Sequence, residues 1–247
     1  MRAWATVILA GLLLPAALAA GGAARPDAPQ PRVVSLSPAL TRILFDTGLG
    51  AHVVGVTKFC KLPEGVDRPR VADAMAVDVD AVLAARPDVL LTQSNPRPLR
   101  AVKQARPNVR ILQVPLETLD DVAAAIERIG EALGRPDRGR QERAAFEAKL
   151  AYVRRRTADL PRRRVLFVMG TKRPTVAGRG SFLGDLIALA GGTNAAEALP
   201  LERAWGPTSL AEVAAARPEV LLCHVPAGQA DDAHAYWRQW TAGADAL

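Results

Sequence analysis

The chain has 247 residues, a formal net charge of +7 and an aromatic content of only 4%. Its basic residues are scattered, so we interpret the charge as solvation and expect no nucleic acid as a partner. The two cysteines, Cys60 and Cys223, are too few for a disulfide framework. No cluster of cysteine and histidine has the spacing of a structural zinc site.

The first 24 residues show the three parts of a secretory signal: a cationic start at Arg2, an apolar stretch and an exit of small residues. A membrane anchor is the alternative. However, Pro15 interrupts the apolar stretch, which is also short for crossing a bilayer. We therefore predict export, with residues 1–24 as the signal peptide and residues 25–31 as a flexible leader.

Residues 32–117 alternate short apolar runs with helical segments, which is the pattern of a mainly parallel sheet in an α/β lobe. The first run leads into a helix with Ser37 as its N-cap and Pro38 at its first position. Gly48 is expected to end that helix. Further strands are predicted over residues 52–57, 88–92 and 109–114, and a helix over residues 78–85.

A twelve-residue phrase occurs twice, starting at Ala81 and at Glu212, with eight identical positions. Each copy is typical of a helix end, an Arg-Pro break and a buried strand. The chain therefore resolves into two related α/β lobes. A cleft between two lobes is a preferred place for a small ligand.

A helical tract over residues 118–161 separates the two lobes. Its second helix, over residues 137–160, would be about 35 Å long at 1.5 Å per residue. The helical spacing predicts an apolar face formed by Phe146, Leu150, Val153 and Thr157. We expect this helix to act as a rigid connector.

The second lobe is predicted over residues 162–247. It begins with a strand over residues 164–169, followed by a helix capped by Ser181. After the second copy of the repeat, only a short helix near residues 231–240 follows. To match the first lobe it would need one more strand and helix, so we expect its last elements to be missing.

In this order, the segments resemble the helical-backbone class of periplasmic substrate-binding proteins, which serve ABC importers of cobalamin, ferric siderophores and haem. The likeness covers residues 32–240. It is carried by residues 32–41, 54–63 and 178–192, by the two Arg-Pro phrases and by the long helix. The resemblance implies two Rossmann-like lobes joined by a rigid backbone helix, with the ligand in the cleft between them. It also implies a periplasmic monomer without a cofactor, whose partners are a metal chelate and a membrane permease.

The resemblance also implies which residues line the cleft. They are Ser37, Pro38, Thr57, Phe59, Leu62, Gln93, Ser94, Lys172, Arg173, Arg179 and Trp205. Leu62 and Gln93 stand where cobalamin-binding relatives commonly carry aromatic residues, which weakens the case for cobalamin. The cations could instead suit an anionic ferric chelate, because arginine matches carboxylates and catecholates.

In this family, an acidic residue at the start of the repeat helix of each lobe pairs with arginines of the permease. Asp80 takes that position in the first lobe. In the second lobe the aligned residue is Ala211, and Glu212 lies one residue later, about 100° around the helix. Asp80 and Glu212 are the docking candidates, although either acid could simply complement the helix dipole.

Two other kinds of site are alternatives. A bare-metal site would need several converging ligands, and the chain has only three histidines. Of these, His224 is a candidate axial ligand to haem or cobalt. An exported enzyme is the other alternative, but Gly180-Ser181 lacks the Gly-x-Ser-x-Gly context of a nucleophile elbow, so we expect no catalysis.

Overall fold

The structure is a computed structural model that describes residues 30–73, 76–226 and 228–241. The predicted signal peptide, residues 1–24, and most of the predicted leader lie outside these residues. Within the described ranges, no helix is long and apolar enough to cross a membrane.

Five parallel strands form the sheet of the first lobe. They are β1 (Val33–Ser35), β2 (Val53–Thr57), β3 (Arg70–Ala72), β4 (Val89–Thr92) and β5 (Arg110–Gln113). Their order in the sheet is β3-β2-β1-β4-β5. Every residue of β4 is buried, because this strand is paired along both edges and covered on both faces.

Helices cover both faces of this sheet. They are α1 (Pro38–Asp46), α2 (Val79–Ala84), α3 (Arg100–Ala105) and α4 (Leu119–Ala132), with short 3-10 turns at Gly50–His52 and Arg97–Leu99. On one face, Leu44 of α1 and Ile129 of α4 pack into a core cluster with Leu91. On the other face, Val82 and Val102 form a second cluster. Packing on both faces explains why the strands read as continuous apolar runs.

The second lobe has a mixed sheet. Its strands are β6 (Arg164–Met169), β7 (Thr175–Ala177), β8 (Thr193–Asn194), β9 (Trp205–Pro207) and β10 (Val220–His224). The order is β10-β6-β7-β9, with β8 beside the start of β6. Strands β10 and β8 run parallel to β6, whereas β7 is antiparallel to both β6 and β9. The helices are α6 (Phe182–Leu189), α7 (Leu210–Ala215) and α8 (Ala230–Thr241), and they follow the connector helix α5 (Pro136–Thr157).

The connector consists of α4 and the 22-residue α5, which is about 33 Å long. Gly130 of α4 and Gly139 of α5 let the two backbones approach closely, since a β-carbon on Gly130 would lie 2.6 Å from the α-carbon of Gly139. The residues predicted to form an apolar face of α5 are half-buried. They are Phe146, Leu150, Val153 and Thr157.

Hydrogen bonds attach the connector to both lobes. Arg138 donates to the Thr47 carbonyl of the first lobe at 2.9 Å. In the second lobe, Asp185 of α6 accepts from the Leu119 backbone N–H at 2.9 Å, so its carboxylate lies at the N-terminus of α4. The Thr157 hydroxyl donates to the Leu189 carbonyl at 2.8 Å. One end of the connector is thus hydrogen-bonded to the first lobe and the other end to the second lobe.

The repeated phrase has the same structure in both lobes. Arg86 and Arg217, the arginines of the two Arg-Pro breaks, both have positive φ, at 47° and 43°. The acid after each proline accepts the backbone N–H of the arginine beside the lobe's first strand: Asp88 from Arg32 and Glu219 from Arg164, each at 2.8 Å. The side chains of those two arginines donate to the last carbonyls of the repeat helices. The prediction of two related lobes is therefore confirmed down to individual hydrogen bonds.

The predicted α/β class is confirmed, and the N-caps predicted at Ser37 and Ser181 both accept hydrogen bonds at the starts of their helices. The sequence prediction did not include β3, α3, β7, β8 or β9. His52 was wrongly placed in a strand. It belongs to the 3-10 turn before β2, and its buried Nδ1 contacts the Pro31 carbonyl at 2.9 Å.

Candidate functional site

The carboxyl ends of β1, β2 and β4 lie at one edge of the first sheet, because these strands are parallel and adjacent. Ser37 follows β1, and Gln93 and Ser94 follow β4. The Ser37 hydroxyl donates to Oε1 of Gln93 and also accepts the Leu40 N–H at 3.3 Å. Pro38 is exposed beside it. Two predicted ligand-binding residues, Ser37 and Gln93, therefore form a polar bridge between neighbouring strand ends.

The loop after β2 places one aromatic ring at the surface. Phe59 is 52% exposed, and its backbone N–H donates to the hydroxyl of the buried Thr57 at 3.3 Å. Leu62 is half-buried against the core of the lobe. The loop thus presents Phe59 outward, whereas Leu62 contributes to packing.

Beneath this loop, Cys60 is buried and its Sγ lies 3.1 Å from the hydroxyls of both Thr41 and Thr57. The thiol therefore joins the loop to α1. Two carbonyls of the same loop, those of Thr57 and Cys60, accept from the Arg70 guanidinium at 3.1 and 2.8 Å. These contacts fix the backbone that carries Phe59.

The charged side chains around the first-lobe loop are partly neutralised. Lys58 lies 5.4 Å from the centre of the Phe59 ring and makes an ion pair with Asp73 at 3.1 Å. In the second lobe, Arg179 lies 3.8 Å from Glu197, although its side chain is 81% exposed. Lys172 and Arg173 are exposed in the segment after β6.

Trp205, the second aromatic candidate, belongs to an aromatic cluster. Its ring is edge-on to Phe167 at 6.1 Å and tilted against Phe182 at 6.0 Å. Phe167 lies two residues before the carboxyl end of β6. Trp205 is therefore half-buried on the α6 side of the second sheet, rather than free beyond the strand ends.

The candidates thus fall into two sets. Ser37 contacts Gln93, and Thr57 contacts Phe59, but among the described residues no hydrogen bond or ion pair joins a first-lobe candidate to a second-lobe candidate. Sequence reasoning missed Phe167 and Phe182. Because the whole chain contains only five phenylalanines, each one could have been considered as a candidate ligand contact.

The docking candidates have different surroundings. Asp80 is exposed in the first turn of α2, after the N-cap Asp78. Glu212 closes a capping box on α7: its carboxylate accepts from the backbone N–H of Ser209 at 2.7 Å, from the Ser209 hydroxyl at 2.9 Å and from the Thr208 hydroxyl at 3.1 Å. These bonds hold the pKa of Glu212 below its ordinary value. The Asp80 carboxylate is thus the more open of the two.

His224 ends β10 and is exposed. Within residues 30–73, 76–226 and 228–241, no three histidine, cysteine, aspartate or glutamate residues converge as a metal site would require. His224 is thus a single candidate ligand, and any metal it contacts would have to arrive with ligands of its own.

The model of a periplasmic binding protein family matches residues 33–235 of the chain. Among curated proteins, the vitamin B12-binding protein of Yersinia pestis (strain Pestoides F) is 25% identical over 240 residues, which cover 96% of this chain and 80% of the relative.

Solved structures share the architecture. The periplasmic vitamin B12 binding protein of Vibrio cholerae superposes with a TM-score of 0.71 at 24% identity, covering 87% of this chain and 83% of the other. The periplasmic heme-binding protein from Roseiflexus sp. RS-1 gives a TM-score of 0.68 at 30% identity, covering 79% and 76%.

Proposed function

Since the chain belongs to the periplasmic binding protein family, we propose that it is an exported, non-catalytic receptor that captures a metal chelate and delivers it to the permease of an ABC importer. The observation that carries this proposal is the carboxyl edge of the first sheet. There, the half-buried Gln93, which accepts a hydrogen bond from the buried Ser37, and the exposed Phe59 ring follow the strands on either side of β1. Ligands of open α/β sheets bind at this edge.

The ion pairs of the site favour a ligand with a broad apolar face over a purely anionic ligand. Lys58 and Arg179 already face carboxylates, so an anionic chelate would have to compete for them. The Phe59 ring is 52% exposed, so it offers apolar surface to a ligand although Lys58 lies 5.4 Å from its centre. Cobalamin, bound by the Yersinia relative according to its name, is therefore our first candidate, followed by a ferric siderophore.

Haem is the alternative to both, on two observations. The Roseiflexus structure, a heme-binding protein by its name, is 30% identical. In addition, His224 is exposed at the end of β10 and could supply an axial nitrogen to the iron of a macrocycle that brings its other ligands.

Titration of the purified mature protein with cyanocobalamin, a ferric siderophore and haem, followed by Trp fluorescence, tests these candidates. We expect saturable quenching by one of the three. Phe59→Ala should weaken that binding about fivefold, since stacking on an aromatic ring contributes roughly 1 kcal/mol. Tyr152→Ala, which removes an equally exposed ring from α5, is the matched control and should bind as wild type. Equal affinities of Phe59→Ala and wild type would refute the proposed binding surface.

Permease docking is tested separately. Asp80→Arg should leave ligand affinity unchanged and impair ligand delivery in a reconstituted importer, because the exposed acid lies outside the binding surface. Glu212→Arg should also lower the melting temperature, since Glu212 caps α7. Loss of ligand affinity in Asp80→Arg would instead place Asp80 in the ligand site.

A further inference from the structure

The side-chain amide of Gln93 has its oxygen engaged and its nitrogen free. Oε1 accepts the hydroxyl proton of Ser37, whereas Nε2 donates to none of the described residues. In the described part of the chain, no side-chain nitrogen or oxygen is buried without a hydrogen-bond partner. Nε2 therefore reaches solvent, where its two N–H donors are open to a ligand.

The hydroxyl of Ser37 sets this orientation of the amide. Ser37 is 3% exposed and caps α1, so its oxygen already accepts the Leu40 N–H at 3.3 Å. Its proton needs an acceptor, because a buried donor without a partner is costly. Among the described residues, Oε1 of Gln93 is the group that accepts it. If the amide were turned over, its N–H groups would face Ser37 and the hydroxyl proton would lose that acceptor.

The backbone on either side of Gln93 is held in place. The Thr92 carbonyl accepts from the Val114 N–H at 2.8 Å, and the Thr92 hydroxyl accepts from the Ser94 N–H at 3.2 Å. Thr92 itself is buried at the end of β4. With the backbone and Oε1 both fixed, Gln93 loses little conformational freedom when its nitrogen binds a ligand, so the donor is preorganised.

Gln93 and Phe59 lie on opposite sides of the end of β1. Gln93 follows β4 and Phe59 follows β2, and these two strands flank β1 in the sheet. Since neighbouring strands are about 4.8 Å apart, the ends of β2 and β4 are about 10 Å apart. A flat ligand that covers the end of β1 can therefore place its apolar face on Phe59 and its rim at Gln93.

On the basis of the receptor function proposed above, we propose that Gln93 is a specificity-determining residue whose Nε2 donates a hydrogen bond to an oxygen at the rim of the chelate. The site then selects ligands that carry a carbonyl or carboxylate oxygen there. The amide side chains of cobalamin and the propionates of haem both supply such an oxygen, but they differ in charge. A ligand without an acceptor at that point would desolvate the N–H donors and leave them unpaired, which disfavours its binding.

Two substitutions test the donor and identify the charge of the acceptor. Gln93→Met keeps the length of the side chain and removes both polar atoms. Gln93→Glu keeps an oxygen for Ser37, but it replaces the donors with a negative charge. Titrations of both variants and wild type with cyanocobalamin and haem, followed by Trp fluorescence, measure the effects.

The order of the two variants depends on the acceptor. For an amide acceptor, Gln93→Met should bind about fivefold more weakly than wild type, and Gln93→Glu should lose less because the ligand amide can turn its own N–H toward the carboxylate. For a carboxylate acceptor, Gln93→Met should lose at least tenfold. Gln93→Glu should then lose more than Gln93→Met, since like charges face each other.

Gln141→Glu is the matched control, because it adds the same charge at an exposed position of α5 and should bind as wild type. Wild-type affinity of Gln93→Met for a ligand that wild type binds would overturn the proposal. A loss in Gln141→Glu equal to that in Gln93→Glu would overturn it as well, since the effect would then come from overall charge.

NMR of the ligand-free protein tests the orientation of the amide separately. The Nε2 protons of Gln93 should exchange with water about as fast as those of the exposed Gln141. Protected Nε2 protons would overturn the proposal whether or not a ligand binds. If wild type binds none of the metal chelates, the receptor function itself is refuted, and this measurement still decides the orientation of Gln93.

Discussion

Replacing Gly130 with alanine tests the close crossing of α4 and α5. The new β-carbon would lie 2.6 Å from the Gly139 α-carbon, 2.8 Å from the Gly139 nitrogen and 2.9 Å from the Arg135 carbonyl oxygen. Non-bonded carbons normally stay about 3.5 to 4.0 Å apart. All three neighbours are backbone atoms, so no side-chain rotation can relieve the overlap. The helices must separate by about 1 Å.

Two effects of opposite sign determine the change in stability. Alanine is favoured over glycine inside a helix by about 1 kcal/mol. Overpacking costs about 1 to 3 kcal/mol, and we expect the upper part of that range because only backbone is displaced. The expected net loss is about 1 to 2 kcal/mol, which for a chain of this size lowers the melting temperature by roughly 2 to 8 °C.

Thermal unfolding followed by circular dichroism measures this loss. Ala145→Gly, at an exposed position inside α5, calibrates the helix-propensity term and should cost about 1 kcal/mol. Gly139→Ala should cost less than Gly130→Ala, because its β-carbon comes no closer than 2.9 Å to any neighbour. If Gly130→Ala melts at or above the wild-type temperature, propensity dominates and the crossing is looser than the structure indicates.

Three further substitutions test other contacts. Ser181→Ala removes the buried N-cap of α6 and should cost about 1 kcal/mol in chemical denaturation, whereas an unchanged midpoint would mean that the cap is dispensable. Asp185→Ala should speed hydrogen exchange of the Leu119 amide, which its carboxylate now binds; unaltered exchange would exclude that bond in solution. The backbone N–H of Arg164 lowers the pKa of Glu219, so this bond stabilises the protein at neutral pH and is lost as the pH falls through the lowered pKa. Glu219→Gln should therefore be less stable than wild type at neutral pH, with a difference that vanishes in acid; a constant difference would refute the ionic contribution.

Elements with strong local signals were predictable from the sequence. Ser37 and Ser181 cap helices because their hydroxyls accept local backbone N–H groups, and Gly48 ends α1 with positive φ. Strands β3 and β9 were not predictable, because Arg70-Val-Ala72 and Trp205-Gly-Pro207 are not the continuous apolar runs that indicated the other strands. Their conformation depends on distant partners: Val56 of β2 pairs with Arg70, and β9 pairs with β7.

The candidate site was predictable only in its first lobe. Ser37, Phe59 and Gln93 follow strands whose ends meet at one sheet edge, so their proximity follows from topology. The surroundings of Trp205 depend on a hairpin, β6–β7, that breaks the parallel pattern. The ion pair between Lys58 and Asp73 spans 15 residues across a loop, a separation that no helical or strand periodicity encodes.

The hydrogen bond from the Arg32 backbone N–H to the Asp88 carboxylate affects when the first lobe can fold. The two residues are 56 positions apart, and β1 lies at the centre of its sheet, between strands that follow it in the chain. Strand β1 is synthesised before the strands that pair with it, so it must wait for those partners. In the second lobe, the bond between Arg164 and Glu219 likewise joins the first strand to a residue 55 positions later. The chain loses conformational entropy when it closes these loops, before such contacts can stabilise it. We therefore expect the first strand of each lobe to lack this hydrogen bond in a nascent chain until the Arg-Pro-acid phrase of that lobe has been synthesised.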